Sequence, residues 1–126
     1  MSTWARAHHP RSERGTGSML MVGVLGALML VGTGTMCMAT YLVAAHQARG
    51  AADLAALSGA VAMSAGEDGC AAARRVARAN AASLLTCDPV GDAVDFVISV
   101  RVARTVRLDI PGLPTKITAL AHAGPR

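Results

Sequence analysis

Residues able to do chemistry are few in this sequence of 126 residues, and two cysteines are the first to consider. Cys70 and Cys87 are 17 residues apart and could form a disulfide, remain free or contribute to a metal site. No further cysteine or histidine lies at ligand spacing from them, so the disulfide is favoured. By closing this loop, such a bond would stabilise the folded state by about 3 kcal/mol in the chain-entropy model.

Acidic and histidine side chains do not form a catalytic pattern. Glu67 and Asp68 are adjacent in a predicted turn, and His46 and His122 have no partner at useful spacing. The sequence also lacks the G-x-S-x-G, H-E-x-x-H, C-x-x-C and glycine-rich phosphate-loop motifs. We therefore predict a protein that is not an enzyme, with no catalytic residue, no metal and no cofactor.

A basic cluster is the remaining candidate for binding. Arg74, Arg75 and Arg78 share one face of a predicted helix and could contact an anion or a partner protein. The net charge is +4, from eleven Arg and one Lys against eight acids, but these residues are spread out and not interleaved with aromatics. A solvated helix face is therefore the main interpretation, and DNA is the weaker alternative partner.

The candidate residues described above follow an uncharged run at residues 15–45, and this run must position them. It contains no Asp, Glu, Lys, Arg or His. About 20 residues of helix cross a bilayer core, and a charge within that core is costly. The run therefore predicts a transmembrane helix over residues 16–45. Within it, Gly23 and Ala27 form a small-xxx-small pair that favours helix packing.

The flanks of this run predict its orientation. Residues 1–15 form a basic leader with three arginines and one glutamate, whereas Arg49 and Asp53 balance one another just beyond the run. Because cytoplasmic flanks carry the excess of positive charge, we expect a single-pass membrane protein with a cytoplasmic N-terminus. Residues 46–126 would then form an extracytoplasmic domain.

Helical spacing continues beyond residue 45. Leu54, Leu57 and Val61 recur at i, i+3 and i+7, a pattern that predicts an apolar stripe packed against the core of the small domain. The glycines of residues 66–69 predict a turn. A second helix is expected over residues 70–85.

The last part of the chain changes to a period of two. After a predicted loop at 86–92, apolar and polar residues alternate over 94–102, which indicates a half-buried strand. Residues 106–110 predict a second strand, or the end of one long bent strand. Residues 117–121 predict a weaker third strand, although 118–123 could also be helical. The expected fold class is α+β, with a long N-terminal helix, a second helix and a short antiparallel sheet.

Three segments of the sequence carry a family resemblance. They are Ser12-Glu13-Arg14-Gly15, His46-Gln47-Ala48-Arg49-Gly50-Ala51-Ala52-Asp53-Leu54-Ala55-Ala56-Leu57, and the stretch 66–77 with the Cys87 that follows. Together these segments resemble the actinobacterial TadE-like proteins of the helicase/secretion neighbourhood. The genes of that family typically lie beside those of a Tad-type secretion or pilus apparatus.

The resemblance implies a minor pilin or pseudopilin of the Tad/Flp type with a pilin-like domain. A prepilin peptidase would cut between Gly15 and Thr16. The helix would then pack with other pilin-like or Tad-type assembly proteins. Typical type IV prepilins carry a glutamate five residues after the cut, where this chain has Leu20. The pairing of that glutamate with a neighbouring N-terminus is therefore not expected here.

Two other functions stay open from the sequence. One is a membrane-tethered binding module that contacts a partner protein or DNA. The other is a secreted protein released by signal peptidase after Ala45, although signal peptides usually have an apolar region of about 7–15 residues.

Overall fold

The computed structural model describes residues 14–92, 94–107 and 110–125, so most of the predicted leader lies outside the described residues. Its helices and strands are, in chain order, α1 (Arg14–Ser64), α2 (Gly69–Ala79), β1 (Ser83–Gly91), β2 (Phe96–Thr105) and β3 (Lys116–Ala123). Two compact units divide the chain, residues 1–37 and 38–126, and the division falls within α1. The predicted α+β class is confirmed.

The described part of the first unit, residues 14–37, belongs to α1 and exposes its apolar side chains. Leu28, Met29 and Leu30 are 63%, 74% and 76% exposed. Helix α1 is near the N-terminus and is long and apolar enough to cross a membrane. Lipid is the environment in which such exposed side chains are stable.

The second unit contains an antiparallel sheet. In the described part of the chain, its strands have the order β1-β2-β3. Phe96, Ile98, Val100 and Val102 alternate along β2 and are at most 3% exposed. This alternation places one face of the central strand in the core, as the period of two predicted.

An alanine face on α1 forms the other side of that core. The buried positions of this face are at most 2% exposed and are Ala48, Ala51, Ala52, Ala55 and Ala56. All except Ala48 belong to the same apolar cluster as Ile98 and Val100. Side chains this small let the backbones of helix and sheet approach closely.

The prediction that the apolar stripe of Leu54, Leu57 and Val61 packs into this core was wrong. These three side chains are 49%, 58% and 62% exposed. Size and hydrophobicity favoured them as core residues, but the alanines occupy the opposite face and exclude larger groups. The stripe is therefore an exposed surface.

Two glycines allow α1 and the start of α2 to meet. A Cβ added to Gly69 would lie 2.7 Å from the carbonyl oxygen of Gly59 and 2.6 Å from Cγ of Met63. A Cβ added to Gly59 would lie 2.7 Å from Cδ1 of Ile98 and 3.0 Å from the Gly69 carbonyl oxygen. The helices are therefore in backbone contact at this pair, which no other residue type would allow without a shift.

Helix α2 has defined signals at both ends. Asp68 precedes it, and Oδ1 of Asp68 accepts a hydrogen bond of 3.0 Å from the amide of Ala71. After Ala79 the chain turns, with φ of 53° at Ala81, and the amide of Ala82 donates to the carbonyl of Ala77 at 2.9 Å. This pattern is a Schellman motif. The predicted extension of the helix to residue 85 was therefore wrong.

The predicted loop at residues 86–92 was also wrong, because most of it lies in β1. Pro89 suggested a loop, since proline cannot donate a hydrogen bond to a neighbouring strand. Strand β1 is at an edge of the sheet, and Pro89 pairs with Ile98 of β2. An edge strand accepts proline when the side that lacks the donor faces outward.

The connection between β2 and β3 differs from the prediction as well. Val106, Arg107 and Ile110 are not in a strand, and residues 108–109 lie outside the described residues. The amide of Val106 donates to the carbonyl of Thr115 at 2.8 Å. We call the described residues between β2 and β3, which are 106–107 and 110–115, the β2–β3 loop. The predicted third strand is confirmed as β3, and the helical alternative was wrong.

Candidate functional site

A groove between the second half of α1 and α2 is the candidate site. Its volume is about 590 Å³. The apolar stripe forms one wall, and Ala72 and Val76 of α2 contribute to the other. The groove therefore lies beside the face of α1 that its own sheet does not cover.

Exposure of the apolar stripe is energetically unfavourable in water. Fully burying one Leu or Val side chain stabilises a protein by about 1.5–3 kcal/mol. Three such residues on consecutive turns of one helix form a contiguous patch, and patches of this kind mark interaction sites. The groove is therefore suited to an apolar helix or to side chains of a partner.

Charged groups stand at the same groove. Glu67 and Arg75 line it, while Arg74 and Arg78 are exposed on the same helix as Arg75. A rim with charges of both signs fixes the orientation of a partner more than it adds affinity. The predicted basic cluster thus borders the groove at one position, Arg75.

The Cys70–Cys87 disulfide holds one wall of the groove. Cys70 is in the first turn of α2 and Cys87 is in β1, with 5.9 Å between their Cα atoms. The predicted bond is present. It ties α2 to the edge of the sheet, and so it keeps the α2 wall in place beside the apolar stripe.

A polar row crosses the sheet away from the groove. Oγ of Ser99 and Nδ1 of His122 are 2.7 Å apart, so His122 does have a partner, which the sequence did not reveal. Asp88 pairs with Ser99 on the other side. In a Ser-His-Asp triad the carboxylate orients the histidine, whereas here it neighbours the serine. This row therefore lacks the geometry of an activated nucleophile.

Other candidate residues lie in the first unit. Gly15, Thr16, Gly23 and Ala27 are exposed positions of α1. A Cβ added to Gly15 or Gly23 would meet nothing within 4 Å. Within the second unit, the structure brings the apolar stripe together with Arg75.

Sequence reasoning missed two residues that the structure connects to a surface. Val76 lines the groove. Tyr41 is half-buried and donates a hydrogen bond to the carbonyl of Pro114 at 2.8 Å. A signal for Tyr41 was available, because it is the single tyrosine and stands near the end of the uncharged run.

The described residues contain no group of three His, Cys, Asp or Glu side chains placed to hold a metal ion. No protein-family model, curated protein or solved structure matches the chain.

Proposed function

We propose that this protein is a non-enzymatic, membrane-anchored component of a Tad/Flp-type pilus or secretion apparatus, of the minor pilin or pseudopilin kind within the TadE-like family. The observation that carries the proposal is the apolar stripe, which the domain's own core leaves uncovered. A helix that is apolar toward lipid at one end and toward a partner at the other is suited to assembly.

The anchor supports this proposal. Residues 15–45 are uncharged, and the apolar side chains of the first unit are exposed. The excess of arginine before the run favours a cytoplasmic N-terminus. The second unit would then be extracytoplasmic, where the Cys70–Cys87 bond is stable because the environment is oxidising.

The groove is the proposed contact with another pilin-like or Tad-type assembly protein. Leu57→Glu places a charge in the middle of the apolar stripe, whereas Leu85→Glu changes a leucine of similar exposure on β1 (58% and 52%). We expect Leu57→Glu to abolish co-purification of assembly proteins from the native membrane, because a buried unpaired carboxylate is strongly unfavourable. Leu85→Glu should leave it intact.

Equal co-purification by both variants would refute the proposed contact. Both side chains are exposed, so neither substitution should unfold the domain. Formation of the Cys70–Cys87 bond, seen on a non-reducing gel, checks that folding is unaffected.

Processing of the leader is a separate part of the proposal. The intact mass of the protein from membranes of cells with an active prepilin peptidase should correspond to residues 16–126. A full-length chain would exclude cleavage between Gly15 and Thr16. A mass that corresponds to residues 46–126 would instead support the secreted alternative. Cleavage after Ala45 would also remove Tyr41 and its hydrogen bond to Pro114.

Arg74, Arg75 and Arg78 favour a second candidate function, the tethered module that binds an anionic partner such as DNA. All three are exposed on α2. Phosphate binding by arginine weakens steeply with salt. The full-length protein in detergent should then bind duplex DNA at low salt and lose it when the three arginines are replaced by glutamine. No binding at low salt would exclude this candidate.

A further inference from the structure

The β2–β3 loop reaches a part of α1 that the sequence assigns to the membrane. The hydroxyl of Tyr41 donates to the carbonyl of Pro114 at 2.8 Å, although Tyr41 lies within the predicted span 16–45. Ala44, one turn further along α1, is 8% exposed. The domain therefore begins to cover α1 before the uncharged run ends.

The position of Tyr41 along α1 can be measured from the first charged residue after the uncharged run. Arg49 is the first Arg, Lys, Asp or Glu after the run, and Tyr41 precedes it by eight residues, roughly 12 Å of helix. Met38, Leu42 and Val43 are 71%, 58% and 54% exposed on the same turns. A helix surface this apolar, with a tyrosine among it, is typical of the membrane interface.

The uncharged run is long enough to leave this level at the interface. It has 31 residues, from 15 to 45, whereas about 20 suffice for the bilayer core. The bilayer core can therefore end before Tyr41. The Pro114 carbonyl, which accepts the hydrogen bond from Tyr41, then lies among the lipid headgroups.

The tip of the β2–β3 loop is a defined turn. The amide of Leu113 donates to the carbonyl of Ile110 at 3.1 Å, with Pro111 and Gly112 between them. Gly112 has φ of 92°, and proline followed by a residue of positive φ is the signature of a type II turn. The turn leaves the Leu113 side chain 44% exposed.

Cations flank this tip. Arg107 and Lys116 are exposed on either side of it. Long basic side chains extend toward phosphate groups while their methylenes stay near apolar surface. Asp109 lies between these two residues in the sequence, so residues 107–116 carry a net charge of +1. One exposed leucine together with this net positive charge matches the chemistry of a phospholipid surface.

We propose that the β2–β3 loop inserts Leu113 into the headgroup region of the bilayer that holds the chain's own helix, with Tyr41 fixing its depth. The inference rests on the proposed membrane anchor. It gives the domain a second contact with the membrane. The partner of this loop is the phospholipid surface.

The test places a tryptophan at the tip. The full-length chain with Trp4→Phe and Leu113→Trp, whose single tryptophan is at position 113, is reconstituted into vesicles of phosphatidylglycerol and phosphatidylcholine. The vesicles carry a fluorescence quencher near the headgroup. We expect a blue shift and strong quenching. Val90→Trp is the control, since Val90 pairs with Val97, at the other end of β2 from Thr105 and the loop. Its emission should stay red-shifted and unquenched.

Tyr41→Phe in the Leu113→Trp chain tests the bond itself. Loss of the hydroxyl should weaken the quenching, because the loop is no longer held at that level. Unchanged quenching would overturn the role given to Tyr41.

Flotation of the same vesicles separates the inference from the anchor. A chain that does not float with the vesicles would overturn both. A chain that floats, with the same emission at positions 113 and 90, would overturn the loop insertion alone and leave the anchor in place.

Discussion

Ala81 has a left-handed backbone conformation that glycine usually occupies. It follows the last turn of α2, where its amide donates to the carbonyl of Arg78 at 3.0 Å. A left-handed conformation costs a residue with a Cβ roughly 1–2 kcal/mol, and only part of that is offset by the greater freedom of glycine in the unfolded chain. The residue that ends α2 is therefore also a source of strain.

Ala81→Gly should accordingly stabilise the protein by about 0.5–1 kcal/mol. Ala79→Gly is the matched control, because Ala79 is the last helical residue and glycine there should destabilise by a similar amount. Thermal unfolding of the full chain in detergent, followed by circular dichroism, measures both. A lower midpoint for Ala81→Gly than for the natural chain would refute this explanation of the helix end.

The disulfide gives a second prediction at this scale. Cys70→Ser with Cys87→Ser should destabilise the second unit by about 3 kcal/mol, since the bond closes a 17-residue loop. Cys37→Ser is the control, because Cys37 is a free thiol. Midpoints of thermal unfolding compared with and without reductant check the result, and a natural chain insensitive to reductant would contradict it.

Single residues were predictable where their type restricted the alternatives. Two cysteines that follow a long apolar helix and have no metal-ligand partners at suitable spacing have few uses, so their bond was predicted. The stripe of Leu54, Leu57 and Val61 was located correctly on one face, but its burial was not. Whether a side chain is buried depends on the element that packs against its face of the helix. The face of α1 that is buried consists of alanines, and a hydrophobic pattern gives more weight to the leucines on the other face.

Among the elements, the crossing of α1 and α2 is a contact that leaves no room for a side chain at Gly69. Gly69→Ala should destabilise by about 1–3 kcal/mol, because its methyl group would overlap the Gly59 carbonyl and the side chain of Met63. Gly50→Ala should instead stabilise by about 0.5–1 kcal/mol, since its Cβ would meet nothing within 4 Å in an exposed part of α1.

Urea unfolding of the two glycine variants in the same detergent gives the comparison. The sign of the change should differ between them. Two variants that shift stability in the same direction would show that backbone contact at Gly69 is not what limits this crossing.

Elements were predictable where one period persisted. Helix α1 and the core of β2 follow from their spacing, and β3 from a weaker alternation. Strand β1 was missed because Pro89 predicts an interruption of a strand. Only the structure shows that β1 is at the edge of the sheet, where proline is tolerated. The end of α2 was missed because its C-cap is Asn80, a weaker end signal than glycine, and the left-handed position after it is an alanine.

For the whole molecule, the apolar character of the first unit predicts membrane retention. Leu25→Arg with Leu28→Arg introduces two charges into the run, at roughly 2.5–3.5 kcal/mol each near the centre of a membrane helix. We expect the double variant to be lost from the carbonate-resistant membrane fraction. Leu25→Ala with Leu28→Ala is the control and should be retained. Retention of the arginine variant would contradict the anchor.

Length and the absence of charge made this scale the easiest to predict. The order of an apolar helix followed by an α+β domain was predicted, but the division between the two units falls after residue 37, inside the uncharged run that ends at residue 45. The groove did not follow, because it depends on α2 lying beside the stripe, and that placement is set by Gly59, Gly69 and the disulfide.

The alanine face has a consequence for the descent of this protein. A fully buried alanine leaves little room for a larger side chain, whereas the exposed leucines on the opposite side can change to any apolar residue that suits their partner. Relatives should therefore share small size at positions 48, 51, 52, 55 and 56 and differ elsewhere on α1. A comparison of sequences that scores volume instead of identity at these positions is the one suited to finding them.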